Sequence, residues 1–186
     1  MASGAIFPFL DTVEATDLRE TCSEARDAVA DFPWHDIVTR IDGSLYSWRA
    51  CFPKATAANI ECRLDLEDDD FIHLRGVRSL NMARCTQPRI TNAAFAHLRG
   101  IRTLNMLQCF QTTITDAAFA HLRGIHTLDM SGCDQLTITN AISKHLAGIH
   151  TLNICYCRQL SSALFESLGI KKLWAIGCSN LLPASP

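Results

Sequence analysis

A step of 24 residues constrains this chain more than any other feature. His73-Leu-Arg-Gly-Val77 returns as His97-Leu-Arg-Gly-Ile101, then His121-Leu-Arg-Gly-Ile125, then His145-Leu-Ala-Gly-Ile149. Leu80, Leu104, Leu128 and Leu152 keep the same step, and so do Cys85, Cys109, Cys133 and Cys157. A fixed period of this size marks stacked supersecondary units, each unable to bury its apolar face alone. Inside one unit the spacing Leu98-x-x-Ile101-x-x-Leu104-x-Met106-x-x-Cys109 predicts a short strand. Ile114-Thr-Asp-Ala-Ala-Phe119-Ala-His-Leu122 then predicts a helix. Thr115 is placed to cap that helix, and Asp116 sits where the helix dipole favours an anion.

Leu-x-Met/Ile-x-x-Cys followed by Ile-Thr-Asp/Asn and an apolar helix resembles the cysteine-containing class of leucine-rich repeats. The resemblance covers roughly residues 60–182 in successive near-copies. It implies an α/β solenoid with short parallel strands on a concave face and helices on the convex face. Leu98, Ile101, Leu104, Met106 and Cys109, with Phe95 and Phe119 from the helix side, are the expected core. The last step, Leu152 to Leu173, shortens to 21 residues. A terminal unit is expected to be atypical because it closes an exposed core, and Leu181-Leu-Pro183 is expected to stop the array.

Nine cysteines in 186 residues raise the possibility of a disulfide framework, but five of them hold the repeat register. In-register thiols behave as small apolar core groups, so Cys85, Cys109, Cys133, Cys157 and Cys178 are expected to be buried and reduced. That, with an opening stretch unlike a secretory signal, points to a cytoplasmic or nuclear setting. No run of about 20 apolar residues is present to span a membrane. The net charge is −2, with −9 in residues 1–70 and +7 in residues 71–186. Such a total does not fit a nucleic-acid binder.

Residues 1–34 lie outside the repeats. Thr16 is placed to cap a helix whose face is Leu18, Cys22, Ala25 and Val29, spaced at the helical period and ended by Pro33. Ile6-Phe-Pro-Phe-Leu10 forms an apolar cluster ahead of it. Ile6-Phe7-x-Phe9-Leu10, Asp17-Leu18-Arg19, Cys22, Arg26 and Pro33-Trp34 resemble the later part of an F-box, whose opening Leu-Pro-x-Glu-Leu type helix has no counterpart here. The resemblance implies that Phe7, Phe9, Leu10, Leu18 and Arg19 face a Skp adaptor. The plain alternative is a helical cap over the first repeat. Residues 35–66 read as a transition, with a helix near Ser47–Phe52 broken by Pro53 and an edge strand at Ala57–Ile60. Repeats follow over 67–182, the first helix starting near Glu67, and 183–186 form a tail.

No catalytic or metal chemistry is expected. The column His73, His97, His121, His145 spreads ligands along an axis, whereas zinc needs them converging at about 2.0–2.1 Å. Cys155-x-Cys157 lacks a second pair at zinc spacing, and Cys155 should lie on the solvent side of its strand. Asp68-Asp-Asp70 has neither the glycine nor the terminal glutamate of a calcium loop. A cysteine nucleophile lacks a convergent base, and no cofactor motif occurs.

A surface remains. The outward positions form three columns: Asn81, Asn105, Asp129, Asn153 and Trp174; Ser79, Thr103, Thr127, Thr151 and Lys172; Arg78, Arg102, His126, His150 and Lys171. The Asn and Thr ladders suit hydrogen bonding between strands. The basic column, with Tyr156 and Trp174 toward one end, suits a protein partner. The resemblance implies a non-catalytic substrate-recognition subunit of a Skp–cullin–F-box ubiquitin ligase, binding the Skp adaptor and a substrate protein, with no nucleic acid or membrane contact and monomeric on its own. The rival is a free-standing repeat scaffold or decoy.

Overall fold

The computed structural model describes residues 7–161, 164 and 168–178. The expectations for Ile6, for the stop at Leu181–Pro183 and for the tail lie outside them. Six parallel strands form one open sheet in chain order. They are β1 (Ala57–Asn59), β2 (Ser79–Asn81), β3 (Thr103–Asn105), β4 (Thr127–Asp129), β5 (Thr151–Asn153) and β6 (Lys172–Trp174). Leu80 pairs with Leu104, Leu104 with Leu128, Leu128 with Leu152 and Leu152 with Leu173. The sequence period is therefore the hydrogen-bonding register, a stacked α/β arrangement compatible with a solenoid. Residues just past the strands continue the ladder, as in Met82 N–H to the Asn105 carbonyl and Met106 N–H to that of Asp129, both 2.8 Å.

The return segments correct the expectation of repeated α-helices. They are mostly 3₁₀, at Asp68–Leu74, Ala96–Leu98, Asp116–Leu122 and Asn140–His145, with one α-helical turn at Asn92–Phe95. A 3₁₀ helix rises about 2.0 Å per residue against about 1.5 Å for an α-helix, so it spans the unit with fewer residues. Gly76, Gly100, Gly124 and Gly148 end these segments at φ between +79° and +82°. That left-handed conformation explains why glycine keeps returning in the repeated stretch.

Leu80, Leu104, Leu128 and Leu152 are buried, as are Phe71, Phe95 and Phe119. Cys85, Cys109, Cys133 and Cys157 point inward as expected, and each thiol donates to a carbonyl one unit back (Ile60, Met82, Met106 and Met130, all 3.1 Å). Cys178 does the same to Ile154 at 3.0 Å but is only half-buried. A cysteine thus fills a small apolar site while supplying a weak donor to a buried carbonyl, which valine or alanine lacks.

The N-terminal segment differs from the expectation of one helix capped at Thr16. There are two: α1 (Thr12–Arg19), capped by Asp11 in a reciprocal capping box with Glu14, and α2 (Ser23–Asp31), capped by Cys22. Thr16 lies inside α1, where its hydroxyl donates back to the Thr12 carbonyl. Cys22 is exposed, so it does not belong to the buried face. Val29 is fully buried, and Leu18 packs on the core from a half-buried position. A third helix, α3 (Leu45–Cys51), lies where the pattern ahead of Pro53 placed it.

Aromatic rings join this segment to itself: Trp34 contacts Phe7, Phe32 and Phe52, and its indole N–H donates to the Val29 carbonyl at 2.8 Å. Residues 34–41 then cover the open edge of the sheet. Thr56 N–H reaches the Trp34 carbonyl, Ile41 N–H reaches that of Asn59, and the Asn59 amide donates to Val38. Arg49 fastens α3 to the first unit, donating to the carbonyls of His73 (2.6 Å), Ala55 (3.1 Å) and Arg75 (3.3 Å) while lying over Trp48. One apolar cluster runs without a break from Phe7 to Leu168.

Candidate partner-binding face

The outward columns of the sheet are not equivalent. Asn81, Asn105, Asp129 and Asn153 are half-buried, and each accepts with its side-chain oxygen from the backbone N–H two residues on (Ala83, Leu107, Ser131 and Cys155, at 3.0 to 3.1 Å). These residues make the turn that follows each strand, a side chain mimicking a backbone turn. Cross-strand bonding within this column occurs from the Asn153 amide to Asp129 at 2.9 Å. Ser79, Thr103, Thr127 and Thr151 are likewise half-buried, which corrects their placement on an exposed column.

The basic column is the exposed one. Arg78, Arg102, His126 and Lys171 are exposed and His150 is half-buried. Their backbones form a continuous ladder, each N–H donating to the carbonyl of the preceding member. His126 and His150 lie face to face, ring centroids 4.5 Å apart and planes 12° from parallel, each meeting its neighbouring threonine hydroxyl. Desolvation lowers the affinity of His150 for a proton, and His126, Lys171 and Lys172 lower it further. At the far end, Trp174 is 48% and Tyr156 60% exposed. Trp174 walls a shallow cleft of about 360 Å³ with Thr127, Asp129, Thr151, Asn153 and Cys155. Cys155 is half-buried at this face.

The five residues read as adaptor-facing separate in the structure. Phe7 is buried within the aromatic cluster, and Leu10 and Leu18 are half-buried against the core. Arg19 is half-buried, its guanidinium donating to Cys51 Sγ at 2.7 Å. Only Phe9, 84% exposed, is fully presented. It borders an open cleft of about 500 Å³ shared with Phe7, Phe32, Trp34, Asp36 and Val38. Asp36 is the polar anchor there, accepting from Thr12, Val38 and Thr39. Burial raises its pKa, but these hydrogen bonds outweigh burial and leave it lowered.

Two further ladders follow the same period, and neither belongs to the columns expected from the sequence. Asp68, Asn92, Asp116 and Asn140 open the return segments; the first three grip the residue that caps the next one, and Asn140 grips Ser161 in the same way. Asp68 accepts from Thr91 N–H and hydroxyl (2.7 and 2.6 Å), and Asp116 does so from Thr139 (2.7 Å each). Asn92 makes the equivalent pair with Thr115, and Asn140 with Ser161. Gln87, Gln111, Gln135 and Gln159 each donate to a carbonyl of the previous unit. The recurrence of Asp/Asn and Gln at a step of 24 was the available signal.

Among the described residues no three His, Cys, Asp or Glu side chains stand close enough to share a metal ion. Desolvation raises the pKa of Cys85 and of Cys157 to about 12, so neither is poised as a nucleophile near neutral pH. Nor, among the described residues, is any helix long and apolar enough to cross a membrane. No family model matches the chain, and no curated protein matches it. Among solved structures it is similar to a chain in the crystal structure of the Rad7 and Elc1 complex in yeast, at 14% identity and a TM-score of 0.39. That similarity covers 56% of this chain and 37% of the other, and is too distant to bear on function.

Proposed function

We propose that this chain is a leucine-rich-repeat solenoid of the cysteine-containing class whose work is non-catalytic protein binding. The observation that supports it best is the match of a 24-residue sequence step to a parallel strand register, which leaves a row of exposed basic and aromatic side chains along one face. A rigid repeated scaffold presenting such a row is suited to recognition. The finer proposal is a substrate-recognition subunit that meets a Skp adaptor through its N-terminal segment. Its support is the exposed Phe9 beside an apolar cleft.

A specific observation favours the rival scaffold: Phe7 and Val29 are buried against Trp34, whose carbonyl takes the Thr56 N–H beside the first strand, so the N-terminal segment already has a structural task. Calorimetric titration of the intact chain with a Skp adaptor separates the two. Micromolar binding lost on Phe9→Asp, with an unchanged circular dichroism spectrum, supports the adaptor role. Absence of binding by the intact chain at high micromolar concentration ends it and leaves the repeat scaffold.

A further inference from the structure

A second basic column runs beside the first. Arg75, Arg99 and Arg123 are all exposed, three residues before Arg78, Arg102 and His126. The connecting Arg-Gly-Val/Ile-Arg/His brings each unit from its 3₁₀ segment into its strand, so both columns follow the same flank of the stack. Lys171 and Lys172 extend that flank at the last strand. Neighbouring parallel strands stand about 4.8 Å apart, so these cations crowd closely along the stack. The 4.5 Å histidine stack is the side-chain form of the same spacing.

No carboxylate neutralises this flank among the described residues. The ion pairs among the described residues are Arg40–Asp42, Lys54–Asp31, Arg63–Asp65, Arg84–Glu61 and Arg89–Glu67, none of them with a member of either column. Asp129, the carboxylate on the neighbouring strand face, already accepts from Ser131 and Asn153. The contacts made by the columns are neutral: Arg78 donates to the Gly100 carbonyl at 2.8 Å and Arg75 to His97 Nδ1 at 3.1 Å. Exposed like charges gathered without counter-charges raise the free energy of the isolated protein and create a field that an anion relieves.

We propose that this flank docks an acidic protein segment, a run rich in Asp and Glu, and holds it more tightly as pH falls. The docking presupposes the protein-binding function proposed above and names the chemistry of the partner. Charge placement selects this occupant. The basic flank lies on a chain whose first 70 residues carry −9, with Glu14, Asp17, Glu24 and Asp27 exposed on α1 and α2. A long nucleic acid or a flat anionic membrane would also meet that negative end, whereas a short acidic segment spans only the flank.

The pH dependence comes from the stacked pair. Arg102 lies on one side of it in the column and Lys171 and Lys172 on the other; Arg123 precedes it, and Asp129 is the carboxylate of the same strand face. Without a ligand these cations oppose protonation of His150. A bound carboxylate opposes them, so binding takes up protons and strengthens in the acid range where histidine acquires charge.

The test uses the full chain and a fluorescein-labelled ten-residue poly-glutamate, with poly-glutamine as the neutral control, followed by anisotropy. The expected result is affinity for poly-glutamate at least about tenfold above the control, weakening between about 50 mM and 300 mM salt. Arg78→Glu with Arg102→Glu should lose about tenfold or more while circular dichroism stays unchanged. Between about pH 7.5 and 5.5 the intact chain should gain about three- to tenfold, and His126→Gln with His150→Gln should abolish that gain but retain binding at the higher pH. Equal binding of the two peptides, or an unaltered pH profile in the histidine variant, overturns it. So does tighter binding of a single-stranded oligonucleotide through the same arginines, or salt-sensitive self-association in sedimentation that the arginine variant removes. The adaptor titration does not involve this flank, so either result can fail without the other.

Discussion

The N-terminal segment through Phe52 and the strand-bearing units that follow are held together by different means. In the units, one position does one job four or five times over: the leucine column packs, the cysteine column donates to a carbonyl one unit back, and Asp or Asn grips the Thr or Ser that precedes the next segment. The N-terminal segment uses each residue once. Trp34 gathers three aromatic rings, Asp36 ties Thr12 to Thr39, and Arg49 reaches five carbonyls. Redundancy in one region against single anchors in the other predicts which substitutions each tolerates.

The largest contrast should appear in thiol chemistry. With burial pushing their thiols up to about 12, Cys85 and Cys157 should react with a maleimide at pH 8 far more slowly than the exposed Cys22 and Cys62, even before steric protection. Mass spectrometry of briefly labelled native protein checks this. Early modification of the inward column would place those cysteines at the surface and remove the common packing of the units.

Core truncation comes next. Phe119→Ala should cost about 3–5 kcal/mol and Leu128→Ala about 2–5 kcal/mol in urea unfolding, since both side chains are fully buried. Trp34→Ala should fall in the same range despite lying outside the periodic stack, because the apolar cluster is continuous. A separate early transition in that variant, with the units still folded, would show that the two regions do not share one cooperative core.

Asp36→Ala should cost about 1–3 kcal/mol at neutral pH by leaving the Thr12 and Thr39 amides without their acceptor. Because the folded pKa of Asp36 is lowered, its contribution is present above the unfolded value near 3.9 and fades as pH falls through the folded value. Wild-type and variant stabilities should therefore converge in acid. A difference that persists well below pH 3 would assign the effect to packing.

Within the periodic region, Asp116→Ala should cost about 1–2 kcal/mol, whereas Asp116→Asn should cost much less, because Asn92 and Asn140 make the same grip elsewhere. Equal losses would mean that charge, and not the paired hydrogen bonds, is what holds the units. Smallest of all, Thr127→Ala should stay within about 0.5 kcal/mol, since its hydroxyl meets only His126.

The sequence by itself determined what repeats. An interval of 24 residues assigned the strand register, the inward leucines and cysteines and the returning glycines, because stacking identical units makes sequence spacing and spatial spacing one quantity. It also showed which residues form the basic column. Tertiary structure decided whatever depends on a partner distant in the chain. Asn81 and its equivalents became turn-makers, Arg19 turned toward Cys51 and Phe7 sank among aromatic rings, leaving Phe9 outside. It also decided that most return segments are 3₁₀, since the length to be spanned is set by the stack and not by local preference. A period fixes where a side chain sits in its unit; what that side chain bonds to is fixed only when the next unit, or the cap, comes within about 3 Å of it.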